Sequence, residues 1–158
     1  MNTLSVGDAA PQFTLLDENE NAVNLADYIG KKLVLVYFYP KAMTPGCTVQ
    51  AQGLRDSKSA LDNENVVVFG ISPDAPKRLK KFCERDELNF TLLSDEDHKV
   101  ADDFGVWGLK KFMGKEYDGI HRLSFLIGLD GKIIHVFDKF KTKNHHDVVL
   151  EVLKELNS

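Results

Sequence analysis

Residues Lys32–Asp56 read KLVLVYFYPKAMTPGCTVQAQGLRD. The run from Lys32 to Tyr39 is apolar at almost every position, as a central strand buried on both faces requires. Thr44 suits a helix N-cap and Pro45 the first helical position, so a helix is predicted to open there and continue to about Leu61. A buried strand feeding a capped helix places residues 44 to 47 at the strand's C-terminal end, where sites in α/β sheets are commonly built. Cys47 falls at about the third position of that helix.

Outward from this unit, short apolar runs alternate with segments of helical period. VVVFGIS (Val66 to Ser72) reads as a second buried strand. RLSFLI and KIIHVF flank GLDG, whose Asp130-Gly131 pair signals a tight hairpin because both central positions favour positive φ, so that end of the sheet is expected to be antiparallel. A second helix is predicted from about Asp74 to Leu88, with Ala75, Leu79, Phe82 and Cys83 on one face. A third is predicted from about Asn144 to Leu156, with Val148, Val149, Val152, Leu153 and Leu156 on its inner stripe. No repeat, low-complexity tract or linker interrupts the order. The reading is one α/β domain over residues 1–158, a central mixed β-sheet flanked by helices.

The 158 residues, 43% of them apolar, suffice for one domain with a real core. A net charge of −4 without a local Lys/Arg block argues against nucleic-acid and anionic-membrane partners. The first residues lack a positive segment leading into an apolar run, and no apolar stretch approaches membrane-spanning length, so the expected location is the cytoplasm. Two cysteines do not make a disulfide scaffold; a disulfide in that compartment is more often transient than structural.

Two readings of Cys47 compete. Its sulfur near unpaired backbone N–H groups and the positive end of a helix dipole favours a thiolate over a thiol. The alternative is a free cysteine that only packs. Ionisation by itself is a modest gain, since taking a free thiol from about 3% ionised at pH 7 to nearly complete gives only about 30-fold, or roughly 2 kcal/mol.

The spacing Pro40-x-x-x-Thr44-x-x-Cys47 after an apolar strand resembles the active-site signature of the peroxiredoxins. YFYPKAMTPGCTVQAQGLRD, FTLLSDEDHKVADDFGVWG and YDGIHRLSFLIGLDGKI together resemble the peroxiredoxin Q branch, also called bacterioferritin comigratory protein. The likeness runs from VGDAAPQFTL to HHDVVLEVLKEL, essentially the full chain. It implies a thioredoxin-like fold and a cysteine-based peroxidase acting on hydrogen peroxide and organic hydroperoxides. By that similarity Cys47 attacks the peroxide O–O bond and becomes a sulfenic acid. Thr44 matches the hydroxyl that bonds the peroxide, Pro40 the residue that shields the pocket from water, and Arg122 the arginine that supports the thiolate and the developing charge. Taken alone, Arg122 reads as a surface ion-pair residue and Thr44 as a helix cap.

Many members of this branch place a second, resolving cysteine five residues after the first, where this chain has Gln52. Five helical residues turn side chains roughly 140° apart, so such a bond would need local unwinding in any case. Other members carry the resolving cysteine on the following helix, and KRLKKFCERDELNF resembles that arrangement, which implies that Cys83 resolves through an intramolecular disulfide. The competing reading places Cys83 in the core, on its helix's apolar stripe. Disulfide closure needs Cα atoms within about 7 Å, so at least one cysteine-bearing segment is expected to rearrange; Gly46 and Gly53 mark the first helix as the one to yield.

SDEDHKVADD reads as a solvated loop and helix start rather than a calcium loop, and His145-His146 as divergent neighbours rather than metal ligands. Phe104, Val106 and Trp107 read as packing. With no P-loop, dinucleotide glycine fingerprint or C-x-x-C pair, no bound nicotinamide, flavin or metal is expected. The resemblance points to thioredoxin or a similar dithiol protein as electron source, and to a monomer. A one-cysteine peroxidase reduced by an external thiol and a non-catalytic thioredoxin-fold binding module remain as alternatives.

Overall fold

The computed structural model describes residues 1–157. Near the N-terminus lie strands β1 (Thr14–Asp17) and β2 (Ala22–Asn24), then β3 (Leu33–Phe38), helices α1 (Pro45–Asp56) and α2 (Lys58–Asn63), and β4 (Val66–Ser72). There follow α3 (Pro76–Asp86), β5 (Thr91–Ser94), α4 (Lys99–Phe104), the strands β6 (Trp107–Phe112) and β7 (Lys115–Ile120), β8 (Ser124–Ile127), β9 (Ile133–Phe137) and α5 (His145–Leu156). Seven strands form one mixed sheet in the order β2-β1-β5-β4-β3-β8-β9, and β6–β7 form a separate hairpin. The pairs β3/β4 and β4/β5 are parallel, whereas β3/β8 and β8/β9 are antiparallel.

The apolar run of β3 is explained by its two faces. Val34, Val36 and Phe38 join Phe69, Phe104 and Phe125 in one core cluster; Leu35, Tyr37 and Tyr39 join Cys47, Leu54, Phe82, Val149 and Leu153 in the other. With period 2 and helices on the second face, every position is apolar. The second layer therefore packs α1, α3 and α5 over the C-terminal end of β3, where Cys47 lies.

Some boundaries differ from the sequence expectations. The first helix breaks at Ser57, whose N–H is shared between Gly53 O and Leu54 O, each 3.2 Å away; this tightens the last turn of α1 and redirects the chain into α2. The β8–β9 hairpin forms, but only Gly131 takes positive φ (80°), and a register shift lies between Leu126 and Ile127. Asp130 contributes through its side chain, accepting from Lys132 N–H at 3.0 Å. On α3 the buried face is Pro76, Leu79, Phe82 and Asp86, while Ala75 is the exposed N-cap. The acidic run is a loop leading into α4, yet Asp95 within it is buried because its carboxylate accepts from Val100 and Ala101 N–H at 3.1 and 2.9 Å. Phe104 and Val106 are core, and Trp107 stacks on His98 at 3.8 Å. Leu156, predicted on the inner stripe of α5, is instead 51% exposed.

His145, at the first position of α5, is fully buried among Tyr37, Phe137 and Phe140, with Nε2 2.8 Å from Ser124 Oγ. Burial first, then the neighbouring His146 and Arg122, pulls its pKa from 6.5 down to about 3. The unfolded chain takes up a proton near 6.5 that the folded chain refuses until about 3, so stability present above 6.5 is lost as pH falls across that window. The melting temperature is expected to drop between pH 6.5 and 4, and His145→Gln to reduce that slope despite its own cost in packing. An unchanged slope in the variant would assign the acid sensitivity elsewhere.

Candidate active site

Cys47 is the third residue of α1 and only 1% exposed. Arg122, in the segment joining β7 to β8, reaches it from across the fold: Nη2 donates to Cys47 Sγ at 3.2 Å and Nη1 to Gln50 Oε1 at 3.0 Å. Gln50 is one helical turn beyond Cys47 and fully buried, so one guanidinium grips two successive inward positions of α1. A rigid fork suits this bridging task, and its fixed charge lies where sulfur would carry negative charge. Gly46 makes the approach possible, because a Cβ there would stand 3.1 Å from Arg122 Nη2. Gly53 likewise admits the His146 ring, which any Cβ would overlap.

Thr44 occupies the N-cap position but does not cap. Its hydroxyl donates to Lys41 O at 2.8 Å, and no side chain caps the first turn of α1. The Thr44 oxygen thus keeps lone pairs free to accept, beside N–H groups at a helix N-terminus. Pro40 is half-buried immediately after Tyr39, whose N–H extends the sheet pairing to Ile71 O at 3.1 Å.

Cys83 faces different surroundings. It is half-buried on α3 against the same core layer, and both cysteines are free. Burial, then the carboxylates of Glu18 and Asp17, pushes its thiol from 9.0 up to about 12. That rise cuts the thiolate fraction at neutral pH about a thousandfold. Burial raises Glu18 in turn.

Gln52 ties α1 to α3. Its Nε2 donates to Asp86 Oδ1 at 3.2 Å, Arg55 Nη1 to Asp86 O at 2.7 Å, and Arg85 Nη2 to Thr48 Oγ1 at 2.7 Å. These bonds clasp the ends of the two cysteine-bearing helices together.

The geometry therefore joins Cys47 and Arg122, with Thr44 and Pro40 on the adjoining loop, and keeps Cys83 unbonded to Cys47 on the neighbouring helix. Two residues escaped the sequence reading. Gln50 carried a usable signal in its i+3 spacing from Cys47. Lys110 carried none, since only the β6–β7 register brings its Nζ to Ile120 O at 2.8 Å, near Arg122 and Cys47. Burial and Arg122 push the Lys110 pKa down, against the pull of Cys47. His145 bonds Ser124 whereas His146 approaches Asp147, and no cluster of three or more His, Cys, Asp or Glu suited to a metal occurs among the described residues.

Comparison with known proteins bears on the family and the fold. Residues 6–136 match the AhpC/TSA family. The chain is 65% identical to Peroxiredoxin Bcp of Escherichia coli K12 over 155 residues, covering 98% of this chain and 99% of that protein. Among solved structures, a cysteine-to-serine mutant of Xylella fastidiosa PrxQ superposes with TM-score 0.93 at 27% identity, covering the whole of both chains. The bacterioferritin comigratory protein of Xanthomonas campestris, studied for its alkyl peroxide reduction activity, superposes with TM-score 0.86 at 29% identity over 92% of each chain. The sheet order, the helix-borne Cys47 and these matches agree: the chain has the thioredoxin-like peroxiredoxin fold and belongs to the AhpC/TSA family, in its peroxiredoxin Q/Bcp branch.

Proposed function

We propose that this single-domain chain is a thiol-dependent peroxidase in which the Cys47 sulfur attacks the nearer oxygen of a hydroperoxide. The S–O bond forms as the O–O bond breaks; sulfur is oxidised to sulfenic acid, and the departing oxygen takes a proton to leave as water or alcohol. The observation that carries this reading is the 3.2 Å donation from Arg122 Nη2 to a buried sulfur at the start of α1. Charge moves from sulfur to the leaving oxygen, so a fixed cation beside that path acts mostly in the transition state. Thr44, its own proton held by Lys41 O, accepts from the peroxide O–H, and Pro40 keeps water from the pocket. Hydrogen peroxide and organic hydroperoxides are the substrates.

Cys83 then attacks the Cys47 sulfenic acid, releasing water and forming an intramolecular disulfide that thioredoxin or a similar dithiol protein reduces. The resting surroundings of Cys83 oppose this step, because a thiol held near 12 beside Glu18 is a poor nucleophile. Exposure to water together with separation from Glu18 would lower the Cys83 pKa again, so a rearrangement that frees this thiol also activates it. It must also release the clasp through Asp86, with α1 yielding to bring Cys47 across and the Cys83 turn of α3 loosening from Glu18. In this proposal the protein works in the cytoplasm as a monomer. No helix among the described residues is long and apolar enough to cross a membrane.

The raised pKa of the half-buried Cys83 also favours a second reading, a one-cysteine enzyme reduced directly by an external thiol. Cys83→Ser separates the two. Under the two-cysteine reading it oxidises at Cys47 at the wild-type rate in a single turnover, while thioredoxin-coupled turnover, followed by NADPH consumption, falls by about an order of magnitude or more. Full coupled turnover would remove Cys83 from the mechanism and leave the peroxidase intact.

A further inference from the structure

The loop from β3 to α1 is gripped at one residue. Ala42 is fully buried; its N–H donates to Asp74 Oδ2 at 2.7 Å and its carbonyl accepts from Arg78 Nη2 at 2.9 Å. Asp74 and Arg78 close on each other, with Oδ1 3.2 Å from Nε, and the Asp74 side chain is 8% exposed. The aspartate is anchored from two strands: Ser72 Oγ donates to its Oδ2 at 2.8 Å, and Ser94 Oγ to its backbone carbonyl at 2.7 Å. Both backbone polar groups of Ala42 are thus satisfied by one ion pair at the start of α3.

The residue after Ala42 shows why such a grip matters. Met43 has φ 67°, a left-handed conformation that a long side chain adopts at a cost. Strained residues persist where their surroundings over-determine them. Thr44 follows directly, and with it the first turn of α1, so a change at Met43 would swing the Thr44 hydroxyl and the N–H groups beside Cys47.

We infer that Asp74, oriented by Arg78, is a positioning residue for peroxide: its clamp on Ala42 locks Met43 in its left-handed turn and so fixes Thr44 against Cys47. This rests on the peroxidase reading above. The clamp belongs to the start of α3, so the helix carrying Cys83 also sets the geometry in which Cys47 meets its substrate. The thiol itself is outside the clamp, since Cys47 is held through Arg122 and Gln50.

Two rates separate positioning from general damage. Oxidation of Cys47 by hydrogen peroxide, measured by stopped flow in the Cys83→Ser background, needs Thr44 in place; alkylation of the same sulfur by iodoacetamide needs only an accessible thiolate. A misplacement of about 1 Å can cost on the order of 10²-fold. Asp74→Ala is expected to slow peroxide oxidation by at least about 10-fold while alkylation stays within about twofold. Asp74→Leu, of similar shape but without an acceptor, serves should alanine fail to fold, and Arg78→Ala, which removes the ion pair and frees the Ala42 carbonyl but keeps the acceptor for Ala42 N–H, is expected to show a smaller loss of the same kind. The inference is overturned by a wild-type peroxide rate in folded Asp74→Ala or Asp74→Leu, or by peroxide and alkylation rates that fall together. A Cys83→Ser parent that itself fails to react with peroxide would instead overturn the peroxidase reading.

Discussion

Replacing Cys47 with serine is expected to remove peroxide turnover, by at least about 10³-fold and down to the background of the assay. The change deletes one atom type and leaves the volume nearly unaltered, so the fold should survive at a buried position that serine can occupy. Chemistry is lost for two reasons. A hydroxyl at this site is not ionised near neutral pH as a thiol can be, and oxygen has no counterpart to the sulfenic acid that stores the peroxide's oxidising equivalents. NADPH consumption coupled through thioredoxin reductase and thioredoxin reads the result. Wild-type turnover by a folded Cys47→Ser protein would end the peroxidase proposal.

Arg122→Ala carries the second large effect. It deletes the 3.2 Å donor to Cys47 Sγ and the 3.0 Å bond to Gln50 Oε1. Removal of one such preorganised donor typically costs about 10² to 10³ in rate, and a comparable fall in the second-order oxidation of Cys47 is expected. Gln50 is left buried without its acceptor bond, which should cost about 1–3 kcal/mol of stability and lower the melting temperature without unfolding the protein at 25 °C. Arg122→Lys should recover only part of the rate, because an ammonium is a single point charge and does not bridge Sγ and Oε1 as the fork does. Stopped-flow oxidation together with a thermal melt distinguishes loss of charge from loss of fold; a wild-type rate in Arg122→Ala would contradict the charge-stabilising role.

The parts of this molecule that were legible in its sequence are those governed by local rules. The β3 run announced its own two-sided burial, Thr44-Pro45 marked the start of α1, and Asn144 marked the start of α5. The strands β1 and β2 were missed because they are short, with mixed burial, at the β2 edge of the sheet, and the turn at Asp17–Asn21 rather than an apolar pattern joins them. The hairpin β6–β7 was missed because it stands outside the main sheet and exposes most of its residues, so periodicity had little to report. Asp95 illustrates the opposite error: an acidic run reads as solvated, but one carboxylate is buried where two helix N–H groups need acceptors.

In the site, the motif named Pro40, Thr44, Cys47 and Arg122, but local reasoning misjudged how Thr44 acts. A threonine at an N-cap is expected to cap, and here its proton goes to Lys41 O instead. Contacts between residues far apart in sequence were beyond reach: Arg122 on Gln50, the Asp74–Arg78 grip on Ala42, and Glu18 beside Cys83 all depend on how the sheet brings separate segments together. Gln52 was noticed for the cysteine it stands in place of; its bond to Asp86 gives it a structural task of its own, holding together the two cysteine-bearing helices.

The central claim is that peroxide oxidises Cys47 first and that Cys83 then captures it. Peptide mapping by mass spectrometry after one equivalent of hydrogen peroxide tests this most directly, in wild type and in Cys83→Ser with dimedone present to trap sulfenic acid. The account expects an intramolecular Cys47–Cys83 disulfide in wild type and a dimedone adduct on Cys47 in the variant. An unmodified Cys47 in both proteins, or oxidation that begins at Cys83, would contradict it.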